Sequence, residues 1–145
     1  MTVIDRKESM IFFVDGLGGT GKTFLYCTIL ITLRKASHIT IAIATSGIAA
    51  TLLPGGITSH SRFKISLTPD TSYTCSISKQ TDLAKLIRHA TIIIWDEAPM
   101  INRRALESLD REFKDIMEVN LPFSGKMLIL GEIFIKYFWL FQRWK

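Results

Sequence analysis

Cysteine is scarce in this sequence of 145 residues, and its placement excludes two classes of site. The two cysteines, Cys27 and Cys75, form no C-x-x-C pair, and neither has a histidine nearby at ligand spacing. This arrangement supports neither a zinc site nor a disulfide framework. We therefore expect two isolated thiols and a fold that depends on its hydrophobic core.

Long apolar runs are missing as well. No stretch of 18 or more uncharged apolar residues occurs, because Glu132 and Lys136 interrupt the most apolar segment, 127–141. The charged residues ahead of Met10 do not resemble a secretory signal. We expect no membrane partner.

Hydrophobic residues make up 48% of the chain and charged residues 21%, a composition typical of one globular domain with a real core. The net charge of +5 leaves two interpretations open. A basic surplus suits a polyanionic partner such as nucleic acid, but it also occurs on domains that never touch DNA.

Short β-branched runs alternate with helical patterns along the chain, which is typical of an α/β fold with a parallel sheet flanked by helices. The uninterrupted apolar run from Ile92 to Trp95 predicts a strand buried on both faces. The Ser- and Thr-rich segment 58–78 is predicted to be a loop. The predicted strands are 10–14, 39–44, 92–95 and 127–130, and the predicted helices are 23–34, 47–53, 80–89 and 103–117.

Residues 16–23 fit the phosphate-binding pattern G-x-x-x-x-G-K-[ST] at every fixed position, between a predicted strand and a predicted helix. Glycines let successive backbone N–H groups point at phosphate oxygens, and the helix adds its positive end. Lys22 can reach the β- and γ-phosphates, and the Thr23 hydroxyl can ligate Mg²⁺. The predicted nucleotide-binding residues are Gly16, Gly18, Gly19, Thr20, Gly21, Lys22 and Thr23.

Asp96 and Glu97 follow the buried strand directly, at the end where open α/β sheets bind ligands. In P-loop NTPases an Asp at this place holds Mg²⁺ together with the P-loop Thr, which makes Thr23 and Asp96 the predicted metal ligands. Glu97 is predicted to act on the attacking water, and it forms the catalytic pair with Lys22. The alternative is an ordinary acidic loop after a strand.

Three segments, 12–26, 44–65 and 92–100, together resemble the Pif family of superfamily-one DNA helicases. They are most similar to the plant-type members related to Helitron transposon helicases, and the resemblance covers 11–131. It implies an α/β, RecA-like first motor domain that binds ATP and Mg²⁺ and contacts single-stranded or forked DNA. Family members hydrolyse ATP to move 5′→3′ in replication, recombination, repair and telomere maintenance, in the nucleus or in mitochondria.

The same resemblance places the segment 45–63 beside the DNA track. The candidate DNA contacts that it implies are Ser46, Gly47, His60, Ser61 and Phe63. Each has a structural alternative: Ser46 and Gly47 suit the start of a helix, His60 suits a structural histidine, and Phe63 suits a core position.

The chain departs from the family after Gly131. Relatives continue with a Gly-Asp-Phe-Arg-Gln-like segment whose Gln senses the γ-phosphate, whereas this chain has Glu132 to Lys136, with Lys136 in place of the Gln. We expect a lead-in at 1–10, the motor domain at 11–131, and a divergent aromatic tail at 132–145. We also expect this sequence to lack the second RecA-like domain, which supplies an arginine finger in the family. The alternative to an active helicase is therefore a truncated remnant that binds nucleotide without unwinding.

Overall fold

The computed structural model describes residues 10–16, 21–66 and 77–131, which form a parallel five-stranded sheet with helices on both faces. The strands are β1 (Ile11–Val14), β2 (Thr40–Ala44), β3 (Ile57–Thr58), β4 (Ile92–Asp96) and β5 (Met127–Gly131). The helices are α1 (Lys22–Lys35), α2 (Gly47–Leu52), α3 (Ser59–Phe63), α4 (Asp82–His89) and α5 (Arg103–Met117), with short 3₁₀ turns at Ala98–Met100 and Pro122–Gly125. The predicted lead-in and tail lie outside the described residues, apart from Met10.

The strand order is β1-β5-β4-β2-β3, so the last strand in the chain lies between the first and the fourth. Val14 of β1 pairs with Gly131 of β5, and Ala44 of β2 pairs with Asp96 of β4. The carboxyl ends of these four strands therefore meet at one edge of the sheet, where parallel sheets bind ligands.

Alternate residues of the central strands enter two different cores. Ile93 and Trp95 pack on the side of α4 and α5, whereas Ile92 and Ile94 pack on the side of α1 and α2. Every residue of β4 is buried. The prediction of a strand buried on both faces is confirmed, and its reason is the helical layer on each side of the sheet.

The segment 58–78 was predicted as a loop, and the structure corrects that prediction in its first part. Thr58 ends β3 and then caps α3, accepting a hydrogen bond from the Ser61 backbone N–H at 3.2 Å. The Ser and Thr residues there start a helix instead of opening a loop. Residues 67–76 lie outside the described part of the chain.

A buried carboxylate fixes the segment that leads into β5. Asp110 of α5 accepts a hydrogen bond from the Phe123 backbone N–H at 2.6 Å and pairs with Lys114 at 2.8 Å. Phe123 and Ser124 both have a positive φ, which non-glycine residues rarely adopt, so this contact stabilises an uncommon turn. In the described parts of the chain, no helix is both long and apolar enough to cross a membrane.

Candidate nucleotide-binding site

Helix α1 begins differently from the other α-helices that the structure describes. Its N-cap is Gly21, with φ +86°, which has no side-chain cap hydrogen bond. Side chains cap α2, α3, α4 and α5, namely Ser46, Thr58, Thr81 and Asn102. Among the described residues, no atom lies within 4 Å of the place where a Gly21 Cβ would stand. A helix that starts at a glycine, without an N-cap side chain, suits an anionic ligand at its positive end.

The two residues that open α1 are the predicted phosphate and magnesium residues, and both are half-buried. Lys22 donates from Nζ to the Gly16 carbonyl oxygen, which joins the two described sides of the predicted loop. Thr23 follows in the same helical turn. Gly18, Gly19 and Thr20 lie outside the described residues, so their roles stay predictions.

Asp96 and Glu97 lie at the carboxyl edge of the sheet, as the sequence predicted. Asp96 is buried at the last position of β4, and its Oδ1 accepts the Glu97 backbone N–H at 2.9 Å. Glu97 adopts the left-handed conformation, φ 57° and ψ 32°, just before the 3₁₀ turn. A non-glycine residue held in this region is a recurrent feature of functional sites.

Gly131 was not predicted as a site residue, although it lies beside the acidic pair. A Cβ on Gly131 would stand 2.7 Å from Asp96 Oδ1 and closer still to the hydroxyl of Tyr26. Tyr26 is fully buried on α1, one helical turn after Thr23. The Tyr26 hydroxyl and the Asp96 carboxylate therefore converge on a glycine. The sequence carries no local signal for this contact, because it depends on the strand order.

The donor set suits a nucleotide with Mg²⁺. A Thr hydroxyl and a carboxylate are hard oxygen ligands, and Mg²⁺ commonly takes one or two protein groups together with phosphate oxygens and water. Within 10–16, 21–66 and 77–131, no group of three or more His, Cys, Asp or Glu side chains could hold a metal ion alone. The uncapped start of α1 offers N–H groups to the phosphates.

The candidate DNA contacts occupy the carboxyl edge beyond β2 and β3, and the structure separates one of them from the others. Gly47 and Ser61 are exposed, and Ser46 and His60 are half-buried. Phe63 is fully buried, with its ring centroid 6.3 Å from Trp95 and 5.7 Å from Phe113. Its ring has no face available for a base in this conformation, and the structure matches the core alternative for this residue.

Thr45 and Ser46 connect that edge to the acidic pair. The Thr45 hydroxyl donates to the Glu97 carbonyl oxygen at 2.8 Å, and the Ser46 backbone N–H donates to Glu97 Oε2 at 3.0 Å. Ser46 also caps α2 through its side chain, which accepts from Ala49 N at 3.2 Å. The cap was one of the two interpretations that the sequence left open for Ser46, and the sequence carried no signal for the contact with Glu97.

A model of the PIF1-like helicase family matches residues 1–142. The chain is 30% identical over 143 residues to the ATP-dependent DNA helicase Pif1 of Campylobacter jejuni, and the match covers 91% of this chain and 31% of that protein. Bacteroides Pif1 bound to single-stranded DNA is similar in structure, with a TM-score of 0.72 and 28% identity over 90% of this chain and 30% of that chain.

Pif1 helicase from Bacteroides in complex with ADP-AlF3 and single-stranded DNA gives a TM-score of 0.72 and 30% identity, covering 90% of this chain and 29% of that one. This likeness confirms the predicted α/β, RecA-like fold. The chain spans under a third of the length of these relatives, at 29–31% of each.

Proposed function

Since this chain belongs to the PIF1-like helicase family, we propose that it binds and hydrolyses ATP as the first RecA-like motor domain of a DNA helicase. The relatives it matches are named ATP-dependent DNA helicases. One observation carries the proposal for this chain: the uncapped start of α1 shares a sheet edge with Asp96 and Glu97. An anion site and a pair of carboxylates at one edge are what phosphoryl transfer to water requires.

Each site residue has a distinct role in this proposal. The N–H groups of the loop 16–21 and of the first turn of α1 bind the phosphates, and Lys22 neutralises charge on the β- and γ-phosphates. Thr23 and Asp96 hold Mg²⁺, which when bound polarises the phosphate oxygens. Glu97 orients the attacking water and accepts its proton.

A DNA strand follows the carboxyl edge beyond β2 and β3. We assign its contacts to Ser46, Gly47, His60 and Ser61, which are exposed or half-buried there. Phe63 supports this surface from within the core. Two observations support the assignment: the Bacteroides relative is described as bound to single-stranded DNA, and this chain carries a net charge of +5.

Several finer features extend the proposal to the whole helicase. The helicase moves 5′→3′ on single-stranded or forked DNA and belongs to the plant-type subfamily related to Helitron helicases. It acts in recombination, repair and telomere maintenance, in the nucleus or in mitochondria. A second RecA-like domain supplies the arginine finger, a contribution worth about 10³–10⁵ in turnover. Unwinding by this chain requires that domain.

The second candidate function is nucleotide binding without turnover. It is favoured by the sequence of Glu132 to Lys136, which replaces the Gln-bearing segment expected after Gly131. The P-loop residues Lys22 and Thr23 are retained, so nucleotide affinity is common to both candidates.

ATP hydrolysis by the purified chain, measured with Mg²⁺ and with or without oligothymidylate, decides between the two candidates. The motor-domain proposal predicts slow, DNA-stimulated turnover in the wild type, without the arginine finger's contribution of about 10³–10⁵. It also predicts that Glu97→Gln lowers turnover by about 10²–10⁴-fold with unchanged ATP affinity, because a general base is lost. Affinity without turnover in the wild type would favour the second candidate, and full turnover in Glu97→Gln would refute the role of Glu97.

A further inference from the structure

We propose that Thr45 and Ser46 are positioning residues for Glu97, and that they transmit DNA binding to the water-activating carboxylate. The inference rests on the proposed function, since it assigns Glu97 its role there. It concerns two contacts that join the DNA side of β2 to the end of β4: the Thr45 hydroxyl on the Glu97 carbonyl, and the Ser46 N–H on the Glu97 carboxylate.

Thr45 forms hydrogen bonds with three consecutive residues, Trp95 and Asp96 at the end of β4 and Glu97 just after it. Its backbone N–H donates to the Asp96 carbonyl oxygen at 3.1 Å, and its hydroxyl oxygen accepts the indole N–H of Trp95 at 3.1 Å. The indole N–H is a donor only, so the single hydroxyl proton of Thr45 is left for the Glu97 carbonyl oxygen at 2.8 Å. The direction of every hydrogen bond at this residue is therefore fixed.

This arrangement stabilises an uncommon backbone conformation. Glu97 is held at φ 57°, where non-glycine residues are rare, and its carbonyl oxygen accepts from the Thr45 hydroxyl and also from Met100 N at 3.0 Å. That backbone conformation sets the direction of the Cα–Cβ bond from which the Glu97 carboxylate extends. We therefore expect loss of the Thr45 hydroxyl to displace the carboxylate without removing it.

Ser46 holds the carboxylate itself. Its N–H donates to Glu97 Oε2 at 3.0 Å, and its own backbone conformation is set by its position as N-cap of α2. This hydrogen bond fixes the direction in which the Glu97 carboxylate points. Glu97 is therefore restrained in this structure while Ser46 keeps its place.

The hydrogen bond between Ser46 and Glu97 lies beside the surface assigned to DNA. Gly47 adjoins Ser46 and is exposed, and Ile48 is 81% exposed at the start of α2. A strand that contacts Ser46 and Gly47 moves the N–H that holds Glu97 Oε2, and this allows the carboxylate to turn toward the attacking water. DNA stimulation of hydrolysis then has a local structural cause, which is the backbone from Thr45 to Gly47 that connects the DNA side to Glu97.

The contact can be tested without any enzyme activity, by following backbone amide resonances of the full chain labelled with ¹⁵N. The proposal predicts that Glu97→Ala shifts the Ser46 amide upfield and speeds its hydrogen exchange. Glu107→Ala, which removes a carboxylate paired with Arg103 on α5, leaves the Ser46 amide unchanged. An unchanged Ser46 amide in Glu97→Ala would overturn the positioning role.

Adding oligothymidylate to the wild type tests the coupling. The Ser46 amide is expected to move in the same direction as in Glu97→Ala. A response at Gly47 with none at Ser46 would contradict the coupling. If no resonance responds at all, the proposed DNA function fails, while the comparison with Glu97→Ala still decides whether Ser46 holds the carboxylate.

Turnover of two Thr45 variants tests the hydroxyl. Thr45→Val keeps the shape and loses the hydroxyl, and we expect its kcat for ATP to fall by about 10²-fold with KM unchanged, because the carboxylate is misplaced. Thr45→Ser restores the hydroxyl and is expected to restore kcat. Equal decreases in kcat in both variants, or a change in KM alone, would indicate that the Thr45 hydroxyl has a merely structural role. A wild type without turnover refutes the proposed hydrolysis and leaves the amide comparison to decide.

Discussion

At the scale of single residues, the atoms around position 131 leave room for glycine and not for a larger residue. The backbone of Gly131 is ordinary for a strand, but a Cβ there would stand 2.7 Å from Asp96 Oδ1 and closer to the Tyr26 hydroxyl. Both distances are under 3.0 Å, so a side chain at position 131 must displace both the Tyr26 hydroxyl and the Asp96 carboxylate.

We predict that Gly131→Ala weakens Mg²⁺-dependent ATP binding by about 10–100-fold, the range found when groups that orient a metal ligand are changed. Calorimetric titration with ATP, with and without Mg²⁺, measures the loss. In Tyr26→Phe the nearest obstructing atom is gone, so adding Gly131→Ala to that variant should cost less. Equal Mg²⁺-dependent affinity in Gly131→Ala and wild type would show that the site tolerates the methyl group.

Lys126 is a second residue whose environment decides its chemistry. Its Nζ donates to the carbonyl oxygens of Arg88 at 2.8 Å and of Ala90 at 2.9 Å, at the C-terminal end of α4. Burial lowers the pKa of Lys126 below its ordinary value of 10.5. The unfolded chain therefore binds this proton more tightly than the folded chain does.

This pKa shift predicts a pH dependence with a definite sign. Between the lowered pKa of Lys126 and 10.5, the unfolded state holds more protons, so the free energy of unfolding rises with pH in that window. Urea unfolding from neutral pH to 10.5 should show this rise in the wild type. Lys126→Arg stays charged throughout and should lack it. A parallel pH response in both proteins would contradict the shift at Lys126.

The part of the site that the sequence predicts is the part carried by neighbouring positions. The pattern from Gly16 to Thr23 and the pair Asp96-Glu97 are local, so residue types and spacing alone predict them as the candidate site. Thr45 and Gly131 carry no local pattern, because their partners lie on other strands.

At the scale of elements, length decided whether the sequence predicted a helix or strand, because only a long element shows a hydrophobic period. The predicted helix at 103–117 agrees with α5, whose N-cap Asn102 accepts from Arg104 N at 2.8 Å. The elements β3 and α3 were missed because they have two and five residues, too few for a hydrophobic period to develop. Ser and Thr side chains serve caps and loops alike, so composition alone misassigned this segment.

Helix α3 ends in a residue whose role can be tested directly. Phe63 packs edge-on against Phe113, which packs edge-on against Phe123 at 5.6 Å between centroids. We predict that Phe63→Ala lowers the free energy of unfolding by about 3–5 kcal/mol, the usual cost of emptying a buried aromatic site. Urea unfolding measures this change.

Phe63→Leu keeps most of the core volume and separates packing from DNA contact. It should lower stability less than Phe63→Ala does and leave the affinity for oligothymidylate unchanged, because the ring is fully buried. A loss of DNA affinity in Phe63→Leu at unchanged stability would restore base stacking as the role of Phe63.

At the scale of the whole molecule, strand order assembles the site. The strand β5 is last in the chain, yet it lies between β1 and β4 and brings Gly131 next to Asp96. The alternation of strands and helices predicted the fold class, and the motif resemblance predicted the family. Neither specified which side chains meet at the carboxyl edge, since that depends on crossovers between distant segments.

The most direct test of the central claim is calorimetric titration of the chain with Mg²⁺ and ATP, for the wild type and for Lys22→Ala. Both candidate functions require an ATP site at the start of α1, next to Asp96. The account predicts saturable binding by the wild type and loss of that binding in Lys22→Ala, with both proteins equally folded. Equal ATP affinity in the two proteins would contradict the assignment of this edge as the nucleotide site.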